Sequence, residues 1–393
     1  MKVYLDHSAT TPTDERVVQA MLPYFTQSFG NANSIHGFGR EGAYAVDESR
    51  RKIADLLGVK SSEIYFTSGG TEADNWAIKG TALALKDKGN HIITSSIEHA
   101  AVMASCAQLE KAGFTVTYLP VKENGLVDPE DLKNAITDKT ILVSVMLANN
   151  EIGTIQPIKE LAEIAHEKGV LFHTDAVQAV GSIPVSIKDL GVDMLSLSGH
   201  KFYGPKGIGV LYIRTGVKPE KYVTGGHQER TMRGGTTNVP AVVGIAKALE
   251  LALSELDENY AFVKGLRDYF VSEVNKRIPY VKYNGDKEKR LPQNANFSFR
   301  FIEGESLLLS LDLSGIACSS GSACSSGSLD PSHVLLAIGL PHEIAHGSIR
   351  FSFGKHNTKE EVDYVLDKLV EIVEKLRKMS PLFAQFEGEK KNV

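Results

Sequence analysis

One lysine of this sequence stands in a setting suited to covalent chemistry. Lys201 follows Ser198-Gly199-His200 and precedes the turn-forming Gly204-Pro205-Lys206-Gly207, between apolar runs at 192–195 and 209–213. A lysine on such a strand-edge loop has small residues beside it, and hydroxyl and imidazole donors that suit a phosphate. That setting favours a Schiff base to the aldehyde of pyridoxal phosphate, whose ring then acts as an electron sink. Alone, the stretch reads equally as a surface lysine in a glycine-rich hairpin, so the other polar clusters decide.

Four of them follow apolar runs. Gly69-Gly70-Thr71-Glu72 closes a strand and opens a helix, where backbone amides and the helix dipole attract an anion; an ordinary strand-to-helix turn with a Thr cap is the bland reading. Asp175 is placed to pair with a protonated pyridine nitrogen and Gln178 to reach the ring's phenolic oxygen, against the alternative of a capping Asp. His99, after Ser95-Ser96-Ile97-Glu98, is placed to stack on a flat ring, although lone histidines there are more often structural. Asn149-Asn150-Glu151-Ile152-Gly153 supplies carboxamides, or is a plain turn. Together with Lys201 these clusters match a phosphate, a ring nitrogen, a phenolate and an aldehyde.

A second reactive candidate is Cys324, at the centre of the Ser/Gly/Ala stretch Ser319-Ser320-Gly321-Ser322-Ala323-Cys324-Ser325-Ser326-Gly327-Ser328. Such a stretch packs no core, and a thiol on it can enter a site and leave carrying what it took; a loop with an incidental cysteine is the alternative. Cys318 follows a short strand and reads as buried, and Cys106 as a small hydrophobe inside a helix. Arg350, in an alternating strand, suits a carboxylate held through two N–H bonds, or a structural ion pair. The glycine-rich run 225–238 reads as a binding loop that, in a dimer, reaches a neighbour's phosphate.

The elements that must position these groups alternate. Strands are expected at 63–67, 91–95, 140–145, 170–174 and 194–197, with helices at 72–86 and 158–168 between them. This rhythm predicts a mostly parallel sheet covered on both faces, with ligands beyond its carboxyl ends. A long helical stretch from Pro240 through Tyr260 to Lys276 leads to alternating strands at 295–299 and 348–353 and a last helix at 359–379. The final residues, 387–393, read as frayed. Two units follow: a large α/β domain over 15–255, and a small α+β domain from 1–14 plus 256–393. Of 393 residues, 42% are hydrophobic and 23% charged, with net charge -5, which gives no basic footprint for nucleic acid. No apolar run is long enough to span a membrane and no signal-like block opens the chain, so a cytoplasmic enzyme is expected. Three cysteines make neither a disulfide framework nor a zinc site.

The run Tyr4-Leu5-Asp6-His7-Ser8-Ala9-Thr10-Thr11-Pro12, the Gly30-Asn31 and Ser34-Ile35-His36 region, Gly70-Thr71-Glu72, Glu98-His99, Asn149-Asn150-Glu151-Ile152-Gly153, Asp175-Ala176-Val177-Gln178, Ser198-Gly199-His200-Lys201 and Arg233-Gly234-Gly235-Thr236 resemble the cysteine desulfurases. These are class V aminotransferase-like enzymes of pyridoxal phosphate fold type I. The resemblance spans nearly the whole chain, and the Cys324 loop is similar to the longer-loop group serving iron–sulfur cluster assembly and nitrogen fixation.

The resemblance implies Lys201 as Schiff-base lysine and proton shuttle, with His99 on the ring. It implies Asp175 on the pyridine nitrogen and Gln178 on the phenolic oxygen. Gly70, Thr71, Ser198, Gly199 and His200 would hold the phosphate, joined by Thr236 from the partner subunit of a homodimer. Asn150 and Arg350 would take the carboxylate of L-cysteine, and Cys324 the sulfur, leaving L-alanine and a persulfide for an iron–sulfur scaffold. No metal site is expected, beyond a transient contact of Cys324 with a scaffold's cluster. Selenocysteine lyase or small-amino-acid aminotransferase activity, or a non-catalytic scaffold role, are the alternatives. Two features depart from the pattern: the tail after Ser380-Pro381-Leu382 is short and charged, and Cys318 is an extra thiol, read as silent.

Overall fold

A computed structural model describes residues 1–320 and 331–391; Cys324 lies outside the described residues. The strands are β1 (Val3–Tyr4), β2 (Ile64–Thr67), β3 (His91–Ser95), β4 (Thr115–Leu119), β5 (Thr140–Ser144), β6 (Leu171–Asp175), β7 (Met194–Ser198), β8 (Gly209–Ile213), β9 (Val281–Tyr283), β10 (Asn294–Phe299), β11 (Ile316–Ala317) and β12 (Ser348–Ser352).

Seven of these build the main sheet in the order β2-β8-β7-β6-β5-β3-β4. Only β8 runs against its neighbours, β2 and β7; the other pairings are parallel. Strands β3, β5 and β7 are buried at every position, because helices cover both faces and leave no solvent side. Strand β4 was not among the expected strands. It is the sheet's edge, with only Leu119 fully buried, so its polar alternation Thr115-Val116-Thr117-Tyr118 lacks the apolar run that marks the others.

Helix Gly37–Leu57 packs on helix Val239–Ser254 over one face of the sheet, burying Ile53, Leu57, Val242, Ile245 and Leu249 in one apolar cluster. The expected single helix from Pro240 to Lys276 is two, Val239–Ser254 and Leu256–Arg277. Glu255 breaks the run at φ -101°, ψ 8°, and its carboxylate is bound by Arg16 and Lys355.

A second apolar cluster, with Phe297 and Phe353 edge-on and Phe351 tilted against Phe270, lies under the sheet β12-β10-β9 and helix Lys359–Met379. Strand β1 pairs with β11 beside it, in parallel. The tail is ordered further than expected. Residues Pro381–Lys391 are helical, and Phe383 and Phe386 pack on Phe301 with centroids 5.5 and 4.9 Å away. Those aromatic contacts offset the ordering entropy that charge alone would not. No helix among the described residues is long and apolar enough to cross a membrane.

Candidate active site

Because β8 alone is reversed, β2, β3, β5, β6 and β7 all deliver their carboxyl ends to one edge. Gly70, His99, Asn150 and Lys201 follow those ends, and Asp175 lies at one. Asp175 is the last residue of β6, and Lys201 closes a short turn, Gly199–Lys201, straight after β7.

Lys201 Nζ donates to the carbonyls of Ser8 (2.5 Å) and Ala9 (2.8 Å). Gln178 Nε2 donates to the same Ser8 carbonyl at 2.9 Å. Segment 8–11 is itself fixed by Thr11, whose N–H and hydroxyl both reach the His200 carbonyl at 3.0 Å. Ser8 and Thr11 therefore belong to the site. Residue-type reasoning passed over Ser8 because its contribution is a main-chain carbonyl, which leaves no mark in side-chain chemistry.

Three carboxyl groups, Asp74, Glu98 and Asp175, are buried within mutual influence. Burial raises Asp74 well above the ordinary range, and the charge of Asp175 adds to that. Burial likewise pushes Glu98 up to about 8, against bonds from Ser95 and the Met146 N–H. Burial also raises Asp175, but His99 and Lys201 pull it back. Three such groups do not all ionise in a dry interior. Asp175 is the one of the three whose rise is opposed by His99 and Lys201. Behind it, His173 bridges Ser144 (2.8 Å) and Ser196 (3.0 Å), kept neutral by burial, which lowers it to about 3.

His99 caps helix Ala100–Lys111: its Nδ1 accepts from the Ala101 N–H at 3.1 Å. Burial is the main force lowering its pKa, and in the neutral ring that bond leaves the proton on Nε2. His200 Nδ1 meets Thr10 Oγ1 at 3.1 Å, and burial, then Lys201, lowers its pKa to about 4.

Donors suited to an anion gather where Gly70 and Thr71 open a helix, whose first N–H groups have no intrahelical acceptor, beside buried Ser198 and His200. A Cβ on Gly70 would stand 2.7 Å from Val177 Cγ2, so only glycine lets the backbone approach. Glu72 steadies this corner. Burial opposes its charge, but Arg233, bound through two nitrogens at 2.8 and 2.9 Å, and Ser68 hold it below the usual range. Thr236 stands exposed on the same loop. The donor set fits pyridoxal phosphate: an amine, a buried carboxylate, a flat imidazole, an amide and an anion cup.

Arg350 arrives from β12. Its Nη1 donates to the Asn150 carbonyl at 3.0 Å and its Nη2 to Asp6 Oδ1 at 2.9 Å. The Asn150 turn needs Gly153 at φ 79°, where a Cβ would lie 2.9 Å from Asn294 Oδ1. Ser332, just after the undescribed segment, binds Glu151. Cys318 is partly buried and burial pushes its thiol far up; buried Cys106 is pushed up to about 12 for the same reason. Neither has the thiolate character of a nucleophile. Among the described residues no cluster is placed to hold a metal ion.

The aminotransferase class-V family matches residues 3–365. The cysteine desulfurase IscS of Dictyoglomus turgidum is 57% identical over 391 residues, covering 100% of this chain and 99% of its own. That of Methanosarcina thermophila is 58% identical over 380 residues, 97% of this chain and 94% of its own. A solved NifS-like protein superposes with a TM-score of 0.90 at 42% identity, over 96% of this chain and all of its own. With its strand-end lysine and buried aspartate on a mostly parallel seven-stranded sheet, the chain belongs to the class-V aminotransferase family.

Proposed function

We propose that this chain is a cysteine desulfurase: it converts L-cysteine to L-alanine and leaves the sulfur on Cys324 as a persulfide. One observation carries the reading. Lys201 and Asp175 stand at the ends of the adjacent strands β7 and β6, His99 follows β3 on the far side of β5, and Arg350 with Asn150 closes the same edge from the small sheet.

Pyridoxal phosphate, when bound, supplies a sink for the electron pair left at Cα. Lys201 would anchor the cofactor and Asp175 would keep its ring nitrogen protonated, with Gln178 available to the phenolic oxygen. Gly70, Thr71, Ser198, Gly199 and His200 hold its phosphate, joined by Thr236 of the partner subunit in a homodimer. Arg350 and Asn150 orient the substrate carboxylate. Lys201 Nζ takes the Cα proton and Cα regains one before alanine leaves, and His99 Nε2–H serves proton transfer at the substrate. The Cys324 thiolate attacks the substrate sulfur: the S–S bond forms as the Cβ–S bond breaks, and Cβ receives a proton. One cysteine and one enzyme thiol thus become one alanine and one persulfide.

The division into a domain over 15–255 and one from 1–14 plus 256–393 is supported by the cluster around Phe270, whose buried residues come only from 3–5 and 263–373, while a smaller cluster of Ile97 and Ile152 with Val334 and Leu335 joins the two. An iron–sulfur scaffold is the sulfur acceptor in this reading, and the cytoplasm is the compartment.

The test is incubation of the holoenzyme with L-cysteine, followed by alanine quantification and mass spectrometry of the Cys324 peptide. Equimolar alanine and a 32 Da adduct on Cys324, with the adduct lost in Cys324→Ala, are expected from the added sulfur atom. Undiminished persulfide formation in Cys324→Ala overturns the assignment.

A further inference from the structure

We propose that Asp6 is a positioning residue that sets how tightly Arg350 holds the substrate carboxylate. The inference rests on the desulfurase reading and deepens it. A guanidinium has five N–H donors. In Arg350 one goes to the Asn150 carbonyl and one to Asp6 Oδ1, 3.0 and 2.9 Å away. The Nε–H is buried and, among the described residues, has no hydrogen-bond partner.

An unmet N–H on a buried cation is costly. A carboxylate taking Nε–H together with a terminal N–H that neither Asn150 nor Asp6 uses would relieve it, in the two-pronged manner guanidinium groups favour. The site is thus built with one acceptor short.

Asp6 then acts in two ways. Its hydrogen bond fixes the plane of the guanidinium, whose side chain is only 4% exposed. Its negative charge stands beside the incoming carboxylate and weakens the hold on it, because like charges on one cation repel. Asp6 is well placed for a constant offset. Its backbone is tied to Ser352, two residues from Arg350 on β12, and its side chain keeps 20% exposure. Glu151, the other acid facing Arg350, is buried and bonded to Ser332. Asp6 therefore trades affinity for release, so that alanine, which carries the same carboxylate, leaves.

The test compares holoenzymes of the wild type, Asp6→Asn and Asp6→Ala. L-alanine binding is measured by calorimetry, KM and kcat with L-cysteine, and binding of 2-aminoethanethiol, which lacks the carboxylate, serves as control. Asp6→Asn keeps the acceptor but loses the charge, so KM and the alanine Kd should both fall by about three- to tenfold. Asp6→Ala loses the anchor too, and both should rise, while aminoethanethiol binding is unchanged in either variant. An alanine Kd in Asp6→Asn equal to or above the wild-type value overturns the inference, as does an equal shift for aminoethanethiol. If the wild type itself neither binds alanine nor consumes cysteine, the desulfurase reading fails instead.

Discussion

Lys201 Nζ lies 2.5 Å from the carbonyl of Ser8, 193 positions earlier in the chain. With Ala9 beside it, that carbonyl pair accepts two hydrogen bonds from the amine. A lysine so held has a defined resting place whenever it is not joined to a carbonyl carbon.

In the proposed mechanism that amine is both anchor and base. Lys201→Ala should yield protein without the visible absorbance that borohydride bleaches in the wild type, and turnover of L-cysteine lower by about 10²- to 10⁴-fold. Absorption spectra and alanine assays check this; a yellow, active variant contradicts it.

His99 combines two tasks that substitution can separate. Asparagine also caps helices well, so His99→Asn should keep the fold while losing about 10²- to 10⁴-fold in kcat. His99→Ala should lose the same activity and also about 1 kcal/mol of stability with the cap. Steady-state kinetics and urea titrations of both variants distinguish the two losses.

Glu98 gives the fold a pH dependence. Its folded pKa is raised to about 8, so the folded state holds a proton that the unfolded chain releases at ordinary carboxyl pKa. Stability from this group is complete below the unfolded value and falls as pH rises through about 8. The slope for one such group is about 1.4 kcal/mol per pH unit inside that window. Denaturant midpoints measured from pH 5 to 8.5 should fall more steeply for the wild type than for Glu98→Gln; parallel profiles would refute it.

Arg50 and Glu229 form a buried pair, two contacts of 2.7 Å each, and Glu229 also accepts the Phe66 N–H. The pair holds a loop in which Glu229, Arg230 and Thr231 all take positive φ, a costly backbone for side-chain-bearing residues. Glu229→Ala should destabilise the protein by about 3–5 kcal/mol, since it leaves a buried guanidinium without its partner. Chemical denaturation measures it, and a loss below about 1 kcal/mol would show that the loop stands without the pair.

Much of the site was legible because side-chain chemistry carried it. Lys201, Asp175, His99 and Gly70 each announce a task by type and by position after an apolar run. The less legible parts are those where the working group is the main chain or the context is an edge. Ser8 and Ala9 contribute carbonyls, which every residue has. Strand β4 has one dry position and so no apolar run. The break at Glu255 depends on Arg16 and Lys355, remote in sequence. The helical tail depends on Phe383 and Phe386 finding Phe301, a pairing that charge content hides.

The pairing of β1 with β11 imposes an order on biosynthesis. Val3 and Tyr4 leave the ribosome more than three hundred residues before Ile316 and Ala317 exist to receive them. Asp6, whose partners are Arg350 and Ser352, waits with them until most of the chain has been made, whereas Ser8, Ala9 and Thr11 find Gln178, His200 and Lys201 earlier. The large sheet can form during translation, as domains commonly do, but the candidate site gains Arg350 and its contacts with Asp6 and Asn150 only once the late strands emerge. A chain cut short before β11 would carry the lysine, the aspartate and the histidine without that guanidinium.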